Sequence, residues 1–150
     1  MSLAKRILVA PLDWGLGHAA RCVPVIHALS QQGAVPVIAA EGATAIFLKG
    51  HFPQLEHVSL PGYRPQYPSQ GSMAVAMIKQ TPRLLGTIAR EKRWLETIVT
   101  EHHIHGVIAD NRYGFATEKL PCVMMTHQLY IQGGSKYRWL EPLMKAIVAH

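Results

Sequence analysis

The chain has 150 residues, 49% of them apolar and 16% charged, an ordinary balance for one globular domain with a sizeable core. No apolar run approaches the roughly 18 residues needed to span a membrane, and residues 1–5 lack the apolar region of a secretion signal. The net charge of +6 favours anionic partners, but Arg83, Arg90, Lys92 and Arg93 are spread out and no basic run is interleaved with aromatics, so no nucleic-acid partner is expected. Cys22 and Cys122 stand far apart in apolar surroundings and read as reduced core residues of a cytoplasmic protein, with no disulfide or metal site expected.

In chain order, residues 6–11 carry the apolar run Ile7-Leu8-Val9-Ala10, which reads as a buried strand. Gly15-Leu16-Gly17-His18 follows as a turn. Residues 19–32 read as a helix with Val23, Ile26 and Leu29 on one face, closed by Gly33. A second strand is expected at 35–40, a short helix at 43–49 and a third strand at 54–59. Residues 61–71 hold three prolines, two glycines, Tyr63, Arg64 and Tyr67, and read as a loop, either a functional one or a surface connector. Residues 73–101 read as helical. Thr81-Pro82 is expected to divide or kink that helix, and Arg90, Glu91, Lys92, Arg93 and Glu96 to form its solvated face. Strands at 105–109 and 122–126 follow, the first ending at Asp110 and the second at Thr126-His127-Gln128, and 137–149 reads as a last helix. His102, His103 and His105 read as a solvated turn, since no carboxylate or cysteine completes a ligand set in sequence.

Alternating strands and helices predict an α/β fold, a Rossmann-like parallel sheet flanked by helices. In such a sheet the strand C-termini share one rim, and ligands bind in the crevice outside it. The rim residues here are Asp13 and His18, Glu41, Asp110-Asn111-Arg112 and Thr126-His127-Gln128. Glycines at a strand–helix turn let backbone N–H groups approach an anion, and the helix start adds partial positive charge.

Two chemistries compete for that rim. Gly15-Leu16-Gly17-His18-Ala19-Ala20 fits the dinucleotide fingerprint G-x-G-x-x-A, and Glu41 stands where a ribose-binding acid would, which suggests an NAD(P)-binding domain of an oxidoreductase. Alternatively, His18 and Asp110 form a dyad in which the carboxylate fixes the imidazole tautomer and the ring takes a proton from a hydroxyl. Taken singly, His18 also reads as a helix cap and Asp110 as an Asx turn.

Ile7-Leu8-Val9-Ala10-Pro11 followed by Gly15-Leu16-Gly17-His18 resembles the opening of GT-B glycosyltransferases, in particular the branch that includes the peptidoglycan transferase MurG and related predicted UDP-N-acetylglucosamine transferases. Asp110-Asn111-Arg112-Tyr113-Gly114 and Thr126-His127-Gln128-Leu129 are similar to segments of a bacterial group of transferases in that superfamily. The resemblance covers residues 5–140 as the N-terminal domain of a GT-B architecture, the acceptor-side half. It implies a nucleotide-sugar donor, a lipid-linked or saccharide acceptor, and a donor-binding C-terminal domain absent from these 150 residues. It implies no metal and no cofactor, and a cytoplasmic location with peripheral contact at the inner membrane face. By the resemblance His18 is the catalytic base and Asp110 its support. Gly15, Gly17, Asn111, Arg112, His127 and Gln128 would bind substrate. The turn has fewer glycines than that of the peptidoglycan enzyme. A non-catalytic acceptor-binding subunit of a split transferase stands as a further reading, and the chain alone is expected to turn over little or nothing.

Overall fold

A computed structural model describes residues 4–60 and 73–126, with the backbone alone for residues 73–84. The elements in order are β1 (Arg6–Ala10), α1 (Leu16–Gln31), β2 (Val35–Ala40), α2 (Gly42–His51), β3 (Glu56–Ser59), α3 (Met73–Glu101), β4 (Gly106–Asp110) and β5 (Cys122–Met125). The strands form one five-stranded sheet in the order β3-β2-β1-β4-β5, with every neighbouring pair parallel. This is the Rossmann-like α/β arrangement that the alternating pattern predicts. The expected loop at 61–71, the expected helix at 137–149, and His127 and Gln128 lie outside the described residues.

Strands buried on both faces need apolar residues at successive positions, which is why β1, β2 and β4 read as continuous apolar runs. Side chains alternate between the faces. Val9, Ile38 and Ala40 meet Ala19, Cys22 and Ile26 of α1, together with Leu48 and Phe52. Leu8, Ala10, Val37, Ala39, Val107 and Ala109 point the other way, onto Leu95 and Ile98 of α3 and onto Leu60, Ile104 and Phe115. The helices α1 and α2 therefore cover one face and α3 the other. After β3 the chain crosses to the far side of β1, so order reverses between β1 and β4, the position where open α/β sheets form their crevice.

Three details depart from the expected pattern. The first helix starts at Leu16 rather than residue 19, so Gly17 and His18 belong to its first turn. A helix there needs only that Gly15 take the backbone angles of the turn, which it does. The long helix runs as one element through Thr81-Pro82; a proline forfeits one backbone hydrogen bond, and a long helix packed through its second half retains the rest. Glu91 is buried rather than solvated, drawn inward by Arg112. Gly33 ends α1 as expected. Its φ is 79°, its N–H donates to the Ser30 carbonyl at 3.0 Å, and the Ala34 N–H donates to Leu29 at 3.0 Å, a left-handed closure of the kind glycine favours.

Candidate functional site

The turn between β1 and α1 is shaped by Gly15, whose φ of 106° and ψ of 164° lie in a region that essentially only glycine occupies. A Cβ built on Gly15 or on Gly17 would meet nothing within 4 Å, so bare backbone faces open space at the start of α1. That start has no side-chain cap and no acidic residue in its first turn. The first N–H groups of a helix lack intrahelical acceptors and carry partial positive charge. On either side of Gly15, Trp14 and Leu16 are exposed.

His18, Arg21 and Cys22 follow at helical spacing and face the sheet at the end of β4. Asp110 is the last residue of β4, one position beyond the Ala10–Ala109 pairing, and shares the parity of Ile108, which puts its side chain on the α1 side. Its side chain is fully buried. Asp110 Oδ2 lies 2.8 Å from His18 Nδ1 and accepts from Arg21 Nε at 2.6 Å. Arg21 Nη2 also reaches His18 Nδ1. Asp110 Oδ1 is buried and has no hydrogen-bond partner. The His18 side chain is 15% exposed, so the ring meets both the buried carboxylate and solvent. Beneath them Cys22 is buried, and its thiol is pushed up to about 12, first by burial and second by the charge of Asp110, with Arg21 acting in the opposite sense.

In the tautomer whose Nδ1 proton donates to Oδ2, the Nε2 lone pair is left for chemistry; a donation from Arg21 Nη2 to Nδ1 belongs to the other tautomer, with the proton on Nε2. A ring held in the first way can take a proton from a hydroxyl and share the resulting charge with the carboxylate. His18 and Asp110, singled out from sequence on different segments, are thus brought together across 92 positions. Arg21 was not singled out. Its signal was its place one turn after His18 on the same helical face.

The other candidates have different surroundings. Asn111 takes a left-handed φ of 52° and its N–H donates to the Met125 carbonyl, turning the chain away from β4. Arg112 is buried: its Nε donates to the Pro11 carbonyl at 2.9 Å and its Nη1 to Glu91 Oε1 at 2.6 Å. Glu91 Oε2 accepts from the Gly114 N–H at 3.2 Å. Arg112 therefore ties the loop after β4 to α3 and to the end of β1, and its Nη2 is buried with no partner. Glu41 sits at the N-cap of α2, with one carboxylate oxygen buried and unpartnered. Asp13 accepts from Thr44 Oγ1 at 3.1 Å and lies against Gly42, so it fastens the β1–α1 turn to the start of α2.

The three histidines near residue 104 lie at the opposite rim of the sheet. There Glu56 pairs with Arg6 and His102, and the Arg6 N–H donates to His105 Nδ1 at 3.2 Å. Among the described residues no group of three or more histidine, cysteine or acidic side chains is arranged to hold a metal ion, and no helix is long and apolar enough to cross a membrane. Comparison with protein-family models and with curated proteins finds no match to this chain, which leaves the geometry of His18, Asp110 and Arg21 as the ground for a functional reading.

Proposed function

We propose that the chain is the acceptor-side half of a nucleotide-sugar-dependent glycosyltransferase of the GT-B kind. It would work with a donor-binding half to move N-acetylglucosamine from its UDP donor onto a hydroxyl of a lipid-linked or envelope glycan. The observation that carries the reading is the 2.8 Å contact between His18 Nδ1 and the fully buried Asp110, beside a bare-backbone turn at the sheet's switch point. The resemblance of the first strand and turn to that superfamily supports it. In the reaction, Nε2 of His18 takes the acceptor hydroxyl proton as the oxygen bonds to the anomeric carbon. The bond from that carbon to the diphosphate breaks, and the diphosphate leaves with the electron pair. Asp110 stabilises the imidazolium that forms. Gly15, Gly17 and the start of α1 offer backbone donors to the diphosphate or the acceptor. The +6 charge would draw the protein to an anionic cytoplasmic membrane face, where lipid-linked acceptors reside.

The test is a transfer assay with the chain combined with a donor-binding half, labelled UDP-N-acetylglucosamine and a glycan acceptor. His18→Ala should lower turnover by roughly 10²-fold or more, the usual scale for a general base, with acceptor affinity retained. Equal turnover in the variant would remove His18 as base and favour a non-catalytic acceptor-binding subunit.

A further inference from the structure

The two edges of the sheet differ. At one edge β3 reads Glu56-His57-Val58-Ser59, and Glu56 is fastened to Arg6 and His102. Charge of this kind is one way natural sheets keep an edge strand from pairing with another chain. At the other edge β5 reads Cys122-Val123-Met124-Met125, with no charge, proline or glycine. Its side chains are apolar on both faces. Val123 pairs with Ile108 on the α1 side and is 57% exposed, and Met124 pairs with Ala109 on the α3 side and is 37% exposed.

The hydrogen bonds to β4 show which backbone groups this edge presents. The Val107 N–H donates to the Pro121 carbonyl at 2.9 Å and the Asn111 N–H to the Met125 carbonyl at 3.0 Å. Within a strand, alternate residues turn their N–H and C=O to the same side. Residues 121, 123 and 125 therefore face β4, and Cys122 and Met124 point their amides and carbonyls outward. Among the described residues no backbone group meets them.

We propose that the β5 edge is the interface of a homodimer: β5 of a second copy lies antiparallel along it, about a two-fold axis normal to the sheet, and the two five-stranded sheets become one. A two-fold contact sets a surface against itself, so the surface must complement itself. β5 meets that condition. With Met124 opposite the partner's Met124, the two residues exchange both of their outward N–H···O=C bonds. Val123 then stands opposite the partner's Met125 on the α1 side, apolar against apolar. No like charges meet along the strand. The strand C-termini of the two copies point to opposite ends, so each His18–Asp110 pair keeps its own opening. Four residues a side make a small contact, and the dimer is a weak one, formed at about 10–300 μM chain.

Sedimentation equilibrium of the 150-residue chain over that range, under reducing conditions, is the test. The mass should rise from 16.6 kDa to twice that value. Met124→Pro removes an outward N–H and leaves the β4 ladder whole, a place where an edge strand accepts proline. Losing the two exchanged bonds should weaken dimerisation about 10-fold or more. Val123→Lys sets a charge on the apolar edge and should weaken it likewise. Val123→Thr, which keeps the strand preference and adds no charge, should leave it within about 3-fold. Urea unfolding checks that each variant is folded, and where Met124→Pro does not fold, Val123→Lys decides. Amide hydrogen exchange gives a second readout: the Met124 amide should slow as concentration rises, and the Val123 amide, which already faces β4, should not change. A chain that stays at 16.6 kDa across the range overturns the proposal. So does a species larger than a dimer, or a dimer that folded Met124→Pro or Val123→Lys leaves as tight as the original.

Discussion

Replacing Gly114 with alanine tests how the loop after β4 is held. Gly114 is buried against α3, and an added Cβ would stand 2.5 Å from Glu91 Cβ, 2.7 Å from the Ile88 carbonyl oxygen and 2.8 Å from Glu91 Oε2. The Ile88 oxygen belongs to helix backbone and cannot rotate aside, so the loop must retreat. Such overpacking costs about 1–3 kcal/mol. Retreat also parts the Gly114 N–H from Glu91 Oε2, now 3.2 Å away, and a hydrogen bond to a charged acceptor contributes about 1.5–3 kcal/mol. The sum centres on about 4 kcal/mol, and partial relaxation of the loop brings the expectation to about 3 kcal/mol. In urea unfolding the midpoint should fall with the slope unchanged. By thermal unfolding, at about 2–4 °C per kcal/mol for a domain of this size, Tm should drop by about 6–12 °C. A loss under about 0.5 kcal/mol, the range of ordinary surface substitutions, would refute the close approach of this loop to α3.

The two glycines of the β1–α1 turn should respond differently. Gly15→Ala meets no atom within 4 Å but must hold a φ of 106°, so it should lose about 1–3 kcal/mol through backbone strain, measured by urea unfolding. Gly17→Ala sits in open space on a helix and should keep or gain stability, by up to about 1 kcal/mol, while raising KM for donor or acceptor in the transfer assay if bare backbone is what they touch. Cys22 should resist alkylation at pH 8 until the protein is unfolded, as followed by mass spectrometry. Its folded pKa is raised to about 12 from an ordinary 9.0, so the stability it contributes is whole below 9 and is lost as pH climbs towards 12. At the opposite rim, the hydrogen bond from Arg6 and then that from His102 hold the Glu56 carboxyl below its ordinary range. That contribution is present above the unfolded carboxyl value and fades as pH falls through the folded one, so Glu56→Gln should cost under about 1 kcal/mol at pH 7 and nothing in acid.

Much of the sheet was legible because each central strand is buried on both faces and therefore spells itself as an apolar run. The span 35–40 for β2 agreed to the residue, and Gly33 announced the end of α1. The start of α1 was read three residues late because glycines argue against a helix, whereas Gly17 lies within one and Gly15 only opens it. Glu91 looked solvated because its neighbours Arg90, Lys92 and Arg93 are exposed, and helical periodicity cannot reveal an arginine 21 positions away that draws one carboxylate inward. The same limit hid Arg21. The meeting of His18 and Asp110 was inferable from parallel topology, which gathers strand ends at one rim, but the shared oxygen that adds a third member depends on side-chain reach that no spacing rule supplies.

The central position of β1 has a consequence for synthesis. Ile7 pairs with Gly106, so the β4 flank of β1 cannot be filled until about a hundred further residues have been translated. At about 5–20 residues per second that is on the order of 5–20 s. Throughout that interval the nascent Leu8-Val9-Ala10 segment lacks its β4 partner, and the amides and carbonyls on that flank can template pairing with another strand until β4 emerges and Asp110 reaches His18 and Arg21.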